Sequence, residues 1–235
     1  MDSITSKIVY LKEMVTAAQQ EFDLAVAFHE VWRPTAYDEK LHGRMGTSYA
    51  TQAFRVVRTA LQREVVLALV RLWDTNKREP SVKMTVIRER VGDKAVIDAL
   101  AIERVKGDTW PGVVDAMQHD LQVKATEVMK LTSKYMEGGS HHTLCKGLVK
   151  LRNERLAHRQ VEPSSATGAA KLDDDIEEFY QDNGKLIRAL VSLVNATSYD
   201  PMEAAKVYER YAAEFWAGAR GEETEGHPHF RLRKR

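Results

Sequence analysis

The stretch ITSKIVYLKEMVTAAQQEFDLAVAF, residues 4–28, carries an apolar side chain at every third or fourth position. These positions are Ile4, Ile8, Leu11, Val15, Ala18, Phe22, Ala25 and Phe28. Because an α-helix completes a turn in about 3.6 residues, this spacing places all of them on one face. The stretch therefore predicts a long amphipathic helix. Pro34 is expected to end it, with Gly43 and Gly46 in the loop that follows.

The same apolar spacing recurs along the rest of the chain. It predicts further helices at about 47–75, 82–91, 93–105, 113–136, 141–158, 172–196 and 202–217. Ser140 is the predicted N-cap of the helix near 141, since its hydroxyl can accept a hydrogen bond from the first turn. No stretch shows the period of two that is typical of a strand. The sequence predicts an all-α bundle, a single domain over 1–217, with a flexible basic tail at 218–235.

The composition excludes several classes of protein. Hydrophobic residues make up 43% of the chain, which excludes wholesale disorder. The longest apolar run, residues 65–70, is far shorter than the roughly 20 residues that a membrane-spanning helix needs. No secretory signal is visible at the N-terminus, and the single cysteine, Cys145, cannot form an internal disulfide. A cytoplasmic protein without a membrane partner is therefore expected.

One block of the sequence combines side chains that bind phosphate with one that transfers protons. It is Arg152-Asn153-Glu154-Arg155-Leu156-Ala157-His158. It lies within residues 146–160, which hold five Lys or Arg and one Glu. Arginines on one helix face repel each other unless an anion lies there, and the guanidinium fork matches phosphate oxygens. The imidazole of His158 can give or take a proton near neutral pH. Arg152 and His158 together predict cleavage of RNA without a metal, which needs two proton transfers and a stabilised phosphorane.

The spacing of the two residues sets a geometric condition. Arg152 and His158 are six residues apart, so on an unbroken helix they point about 120° apart and are offset by about 9 Å. One helix cannot easily direct both side chains at one phosphate. Either the helix ends before His158, or a second copy of the motif completes the site, as in a symmetric dimer.

This block, near the end of a long helix in an all-α chain, resembles the R-N-x-x-x-x-H signature of the HEPN superfamily. Together with 69–74 (LVRLWD), it also resembles the AbiU-type abortive-infection branch, over roughly residues 1–200. The resemblance implies a HEPN-like helical bundle with additional flanking helices and a homodimer with the motif at its interface. It also implies an endoribonuclease that acts as a toxin or in prokaryotic phage defence. Arg152 and His158 would be the catalytic pair, assisted by Asn153.

Further residues and partners follow from this hypothesis. RNA, a second copy of the chain and an antitoxin protein are the expected partners. His141, His142 and Cys145 lack a second pair of ligands, so no metal site and no cofactor is predicted. The basic side chains around the motif are expected to hold the RNA backbone, although they would also serve solubility. These are Lys146, Lys150, Arg155 and Arg159.

Two other interpretations remain open. The chain could be a non-enzymatic module that binds nucleotide, RNA or a protein partner. It could also be a helical adaptor in which Arg152 forms a surface ion pair and His158 caps a helix. Arg71 and Asp74, three residues apart, most simply predict a helix salt bridge, with a role near the motif as the alternative. Trp73 is expected to pack in the interior, with stacking on a base as the alternative.

Overall fold

The computed structural model describes residues 3–74, 82–153 and 169–221, and most of these residues are helical. A short π-helical segment, Val191–Asn195, continues the eighth helix. No strand occurs in these three ranges, and the predicted all-α fold is confirmed. The α-helices are α1 (Ile4–Tyr37), α2 (Glu39–Met45), α3 (Tyr49–Arg71), α4 (Met84–Val91), α5 (Lys94–Arg104), α6 (Val113–Ser133), α7 (His142–Leu151), α8 (Ala169–Leu190) and α9 (Pro201–Ala217).

The chain divides into two compact units. Unit 1 comprises Met1–Phe22 and Ala68–Asp200, and it contains the residues of the predicted motif. Within it, α6 packs against α4, α5, α8 and the π-helical segment. The rings of Phe22 and Tyr180 stack with their centroids 5.5 Å apart. The interior is apolar, as the stripes predict, and its fully buried members include Leu11, Val15, Ile87, Leu100, Leu121, Val128, Phe179 and Ile187.

Unit 2 comprises Asp23–Leu67 and Pro201–Arg235. Its core cluster joins α2, α3 and α9 through Leu41, Met45, Phe54, Ala212 and Trp216. The indole N–H of Trp216 donates to the carbonyl of Val31 at 2.9 Å. Arg44 donates to the carbonyls of Trp216 and Ala219, each at 2.9 Å. The last carbonyls of a helix have no partner within it, so Arg44 stabilises the end of α9.

The prediction that Pro34 ends the first helix is wrong. α1 continues through Pro34 as far as Tyr37. A proline inside a helix removes one hydrogen bond, and near the last turn little of the helix remains to be disrupted. The turn is also held by its side chains, because Trp32 and Thr35 are fully buried and the Thr35 hydroxyl donates to the Trp32 carbonyl at 2.6 Å.

The loop predicted around Gly43 and Gly46 is instead the short helix α2. The Asp38 carboxylate caps it by accepting hydrogen bonds from the backbone N–H groups of Lys40 and Leu41. Burial of the apolar side of α2 offsets the cost of a glycine inside the helix. Gly46 ends α2 with a φ of 46°, a conformation that favours glycine.

Two expectations about α7 also need correction. Its N-cap is His141 rather than Ser140, and the Ser140 hydroxyl is hydrogen-bonded to His141 Nδ1 at 2.7 Å instead. The α-helical geometry ends at Leu151, and Arg152 and Asn153 form a wider, π-type turn. Residues 154–168 and 222–235, which include the rest of the motif and most of the predicted tail, lie outside the described residues. The single-domain assignment stays a prediction.

Candidate functional site at the end of helix α7

Three of the predicted site residues are exposed on α7 or directly after it. Lys146 and Lys150, four residues apart, share one face of α7. Asn153 is exposed in the π-type turn that follows the helix. Arg155, His158 and Arg159 lie outside the described residues.

Arg152 lies on a different side of the helix. It follows Cys145 and Leu148 at intervals of three and four residues, and both of these side chains are buried. Its guanidinium contacts Asp74, with Nη1 to Oδ2 at 3.0 Å and Nη2 to Oδ1 at 3.4 Å. The two side chains are only 16% and 25% exposed. Arg152 therefore lies beside the carboxylate of Asp74, just beyond the end of α3. It does not lie on the exposed face of α7 that carries the lysines.

The salt bridge predicted between Arg71 and Asp74 is wrong. The Arg71 side chain pairs with Glu21 at 2.9 Å, while Asp74 accepts from Arg152. The physical reason is that α3 ends at Arg71, so the spacing that aligns side chains on a helix no longer applies at Asp74. The alternative interpretation, in which Asp74 has a role near the motif, is supported by this contact.

Among the described residues, the ion pair with Asp74 leaves some hydrogen-bond donors of Arg152 without an acceptor. A guanidinium has five N–H groups, and Asp74 accepts from two of them. The Nε–H is buried without an acceptor among the described residues. Asp74 therefore fixes the orientation of the guanidinium without using all of its donors. The carboxylate also offsets part of the positive charge, so an anion at Arg152 would depend on further cations nearby.

Trp73, the residue before Asp74, packs in the interior of unit 1. Its side chain is buried, and its indole N–H donates to Asn183 Oδ1 at 2.8 Å. The Asn183 amide donates in turn to the carbonyl of Phe179 at 2.7 Å. The Trp73 ring contacts Tyr135 and Phe179, with centroid distances of 5.4 and 6.1 Å. The predicted packing role is confirmed, and it anchors the backbone that carries Asp74.

Tyr135, which packs against Trp73, also belongs to a group of polar and charged side chains between the end of α6 and α8. We call Lys134, Tyr135, Asp182 and Lys185 the Asp182 cluster. The Tyr135 hydroxyl donates to Asp182 Oδ2 at 2.8 Å, and Lys134 forms an ion pair with the same oxygen. Lys185 lies 3.3 Å from Oδ1. This cluster joins the end of α6 to α8 and supports the ring against which Trp73 packs.

The cluster continues into the loop before α7. Glu178 pairs with Lys134 at 3.4 Å and with His141 Nε2 at 2.6 Å.

Cys145 is buried, and this burial raises the pKa of its thiol to about 11. Among the described residues there is no group of three His, Cys, Asp or Glu side chains that could hold a metal ion. His141 is instead a partner of Glu178 and Ser140.

The pKa values in the Asp182 cluster follow from these contacts. Burial raises the pKa of Asp182, but hydrogen bonds from Lys134, Tyr135 and Lys185 outweigh it and hold the pKa below its usual value. Burial and the hydrogen bond to Asp182 raise the pKa of the Tyr135 hydroxyl. Burial lowers the pKa of Lys134, but its two carboxylate partners reverse this effect and raise it. The carboxylate of Asp182 is therefore stabilised in its charged form.

We expect Asp182→Asn to destabilise the protein at neutral pH by about 1–3 kcal/mol, because it removes charge-assisted hydrogen bonds. A carboxylate whose pKa is lowered on folding stabilises the protein above its unfolded pKa, about 3.9. This stability is lost as the pH falls through the folded pKa. The difference in melting temperature between wild type and variant should therefore be largest above pH 5 and shrink below pH 4. A constant difference from pH 7 to pH 3 would contradict this role.

Asn183 and Asp182, which lie beside Trp73 and Tyr135, were not predicted from the sequence as parts of this region. A signal was present, since Asn183 is a polar residue in the stripe of Ile176, Tyr180 and Ile187. A buried polar side chain needs a hydrogen-bond partner, and Trp73 supplies it. Asp182 carried no such signal, because it closes an acidic stretch that is also typical of a solvated helix face.

The all-α fold, with the Arg-Asn pair directly after α7, is consistent with a HEPN-type helical protein. The family model for AbiU2, a HEPN family, matches residues 9–215. The chain therefore belongs to the AbiU2 family of HEPN proteins, and the predicted resemblance is confirmed. This family membership indicates an abortive-infection protein of HEPN type. Comparisons with curated proteins and with solved structures give no match. None of the described helices is both long and apolar enough to cross a membrane.

Proposed function

We propose that the chain is a metal-independent endoribonuclease whose reaction is carried by Arg152 and His158. The observation that carries this proposal is the orientation of Arg152, whose guanidinium is held by Asp74 while the second N–H groups of Nη1 and Nη2 have no acceptor among the described residues. The motif lies inside the region matched by the family model. A fixed guanidinium with free donors is suited to an oxyanion, because little rearrangement is needed when negative charge develops on phosphate.

The proposed reaction is an internal transfer at one phosphodiester. The 2′-oxygen attacks phosphorus and loses its proton, and the bond to the 5′-oxygen breaks as that oxygen gains a proton. His158 acts as the general acid and base, and Arg152 stabilises the phosphorane. Asn153, exposed beside Arg152, orients His158 or the scissile phosphate by hydrogen bonding. The products are a 2′,3′-cyclic phosphate and a 5′-hydroxyl.

The surroundings of the motif support binding of an RNA strand. Lys146 and Lys150 lie on an exposed face of α7, and Asn153 is exposed just beyond the end of this helix. We propose that they contact backbone phosphates, together with Arg155 and Arg159. We also propose a homodimer that brings two motifs together, toxicity controlled by an antitoxin, and a cytoplasmic role in phage defence. Each of these follows from the nuclease hypothesis and the family.

The test is an RNA cleavage assay with purified protein. We expect fragments in excess EDTA as well as in Mg²⁺, and a 2′,3′-cyclic phosphate at the new end, detected by its resistance to phosphatase before acid opening. Cleavage that strictly requires Mg²⁺, or that leaves a 3′-hydroxyl, would overturn the proposed mechanism.

A second candidate function is non-enzymatic binding of RNA, nucleotide or a protein. The ion pair between Arg152 and Asp74 favours it, because it offsets the charge that a catalytic arginine must bring to the phosphorane. This function predicts saturable RNA binding without turnover. It also predicts that binding survives His158→Ala but weakens when Lys146 and Lys150 are both replaced by glutamine.

A further inference from the structure

A cavity of about 540 Å³ lies in unit 1, beside the turn at residues 196–199. Three basic side chains from three different helices line it: Arg104 of α5, Lys124 of α6 and Arg188 of α8. The described residues that line it include no Asp or Glu. The cavity shares no residue with the Arg152–Asp74 pair, and the nuclease proposal makes no use of it.

Arg104 is held in place at this cavity by backbone carbonyls. Its Nη2 donates to the carbonyl oxygens of Ser192 at 2.8 Å and Leu193 at 2.5 Å. Its Nε–H has no acceptor among the described residues. Burial lowers the pKa of the guanidinium, although the charges of Asp120 and Glu103 oppose this effect. A cation that is fixed and partly dehydrated gains more from an anion than one that moves freely in water.

The other two cations can turn to a ligand at low cost. Lys124 pairs with Asp120 at 2.8 Å on the surface of α6, where both side chains are at least one-third exposed. Arg188 approaches Asp200 only to 3.8 Å and is 62% exposed. Exposed pairs of this kind contribute about 0–1 kcal/mol, so exchanging them for a bound anion costs little.

Hydroxyl groups complete the lining. Ser192 belongs to the π-helical segment, and Thr197 and Ser198 follow the turn that ends it. Ala196, between them, has a φ of 55°, and it is the one non-glycine residue with positive φ in the described ranges. The turn brings Ser192 and Ser198, one on each side of it, to the same cavity, while the Thr197 hydroxyl donates to the carbonyl of Asn195 at 3.0 Å. Serine and threonine hydroxyls donate to the oxygens of an anion.

We propose that this cavity is a binding site for the phosphate group of a small ligand. Its three cations and the hydroxyls of Ser192 and Ser198 match a multiply charged anion with several oxygens better than they match a single carboxylate. The volume exceeds that of a phosphate ion, so the same chemistry fits free phosphate or the phosphate of an organic ester. Arg104 is the fixed contact, and Lys124 and Arg188 close onto the ligand.

The test is calorimetric titration of the full-length protein with inorganic phosphate and, separately, with 5′-AMP, at constant ionic strength. We expect saturable binding that weakens by about tenfold or more in the double variant Lys124→Gln/Arg188→Gln. Lys94→Gln is the matched control, because Lys94 forms a comparable surface pair with Asp98 on α5. It should bind within about twofold of wild type.

The comparison of the two probes identifies the source of the phosphate. Tighter binding of 5′-AMP indicates an ester that fills the remaining volume, and equal binding indicates the free ion. Absence of saturable binding of either probe, or equal binding by wild type and the double variant with unchanged melting temperature, overturns the proposal. RNA cleavage does not enter this test, so its outcome is independent of the nuclease hypothesis.

Discussion

His158→Ala should lower the rate of RNA cleavage by about 10²–10⁴-fold, because general acid–base catalysis by one side chain contributes roughly this much. Arg152→Ala should cause a loss of similar size, since it removes charge stabilisation from the phosphorane. The measurement is the initial rate of cleavage of a labelled RNA by purified protein, together with RNA integrity and growth of cells that express each variant.

Two matched controls accompany these variants. His119→Ala removes an exposed histidine of α6, and Arg71→Ala removes an arginine that pairs with Glu21 rather than with Asp74. Both should cleave RNA at the wild-type rate. Cleavage by His158→Ala as fast as by His119→Ala would refute the catalytic role of His158. If neither motif variant changes toxicity or RNA integrity, the helical-adaptor interpretation is favoured.

Trp73→Ala should lower the free energy of unfolding by about 3–5 kcal/mol, the range for removing a large buried aromatic side chain. The variant loses the contacts with Tyr135 and Phe179 and leaves Asn183 Oδ1 without its donor. Trp73→Phe should cost about 1–2 kcal/mol, because it keeps a ring but leaves the buried amide oxygen unsatisfied. Urea unfolding followed by circular dichroism measures both values.

The control for this prediction is Trp110→Ala. Trp110 is 78% exposed, so its replacement should change the free energy of unfolding by less than about 0.5 kcal/mol. Equal losses for Trp73→Ala and Trp110→Ala would show that Trp73 does not anchor this region. The rate of RNA cleavage by folded Trp73→Phe protein adds a second test. A lower rate would show that the hydrogen bond between Trp73 and Asn183 helps to position Asp74, and through it Arg152.

Most helices could be predicted from the sequence because their apolar residues repeat with the period of the helix. This held for α4, α5 and α6, whose observed ends lie within about three residues of the predicted ones. It failed around Pro34 and Gly43, where the sequence carries helix-breaking residues. There the burial of Trp32 and Leu41 outweighs local propensity, and burial depends on neighbours that are distant in sequence.

The candidate site could be predicted only in part. Lys146 and Lys150 share an exposed face because a four-residue interval aligns side chains on one helix. The partner of Arg152 could not be predicted in this way, since Asp74 lies 78 residues earlier. No periodic rule connects positions so far apart.

The sequence by itself determined the all-α class, the apolar stripes and the order of residues in the motif, because these depend on local backbone geometry. Only the tertiary structure decided that Asp74 holds Arg152 rather than Arg71, that Asn183 satisfies Trp73, and that Arg104, Lys124 and Arg188 meet at one cavity. The physical reason is that hydrogen bonds and ion pairs form between side chains that packing brings within a few ångströms, whatever their separation along the chain.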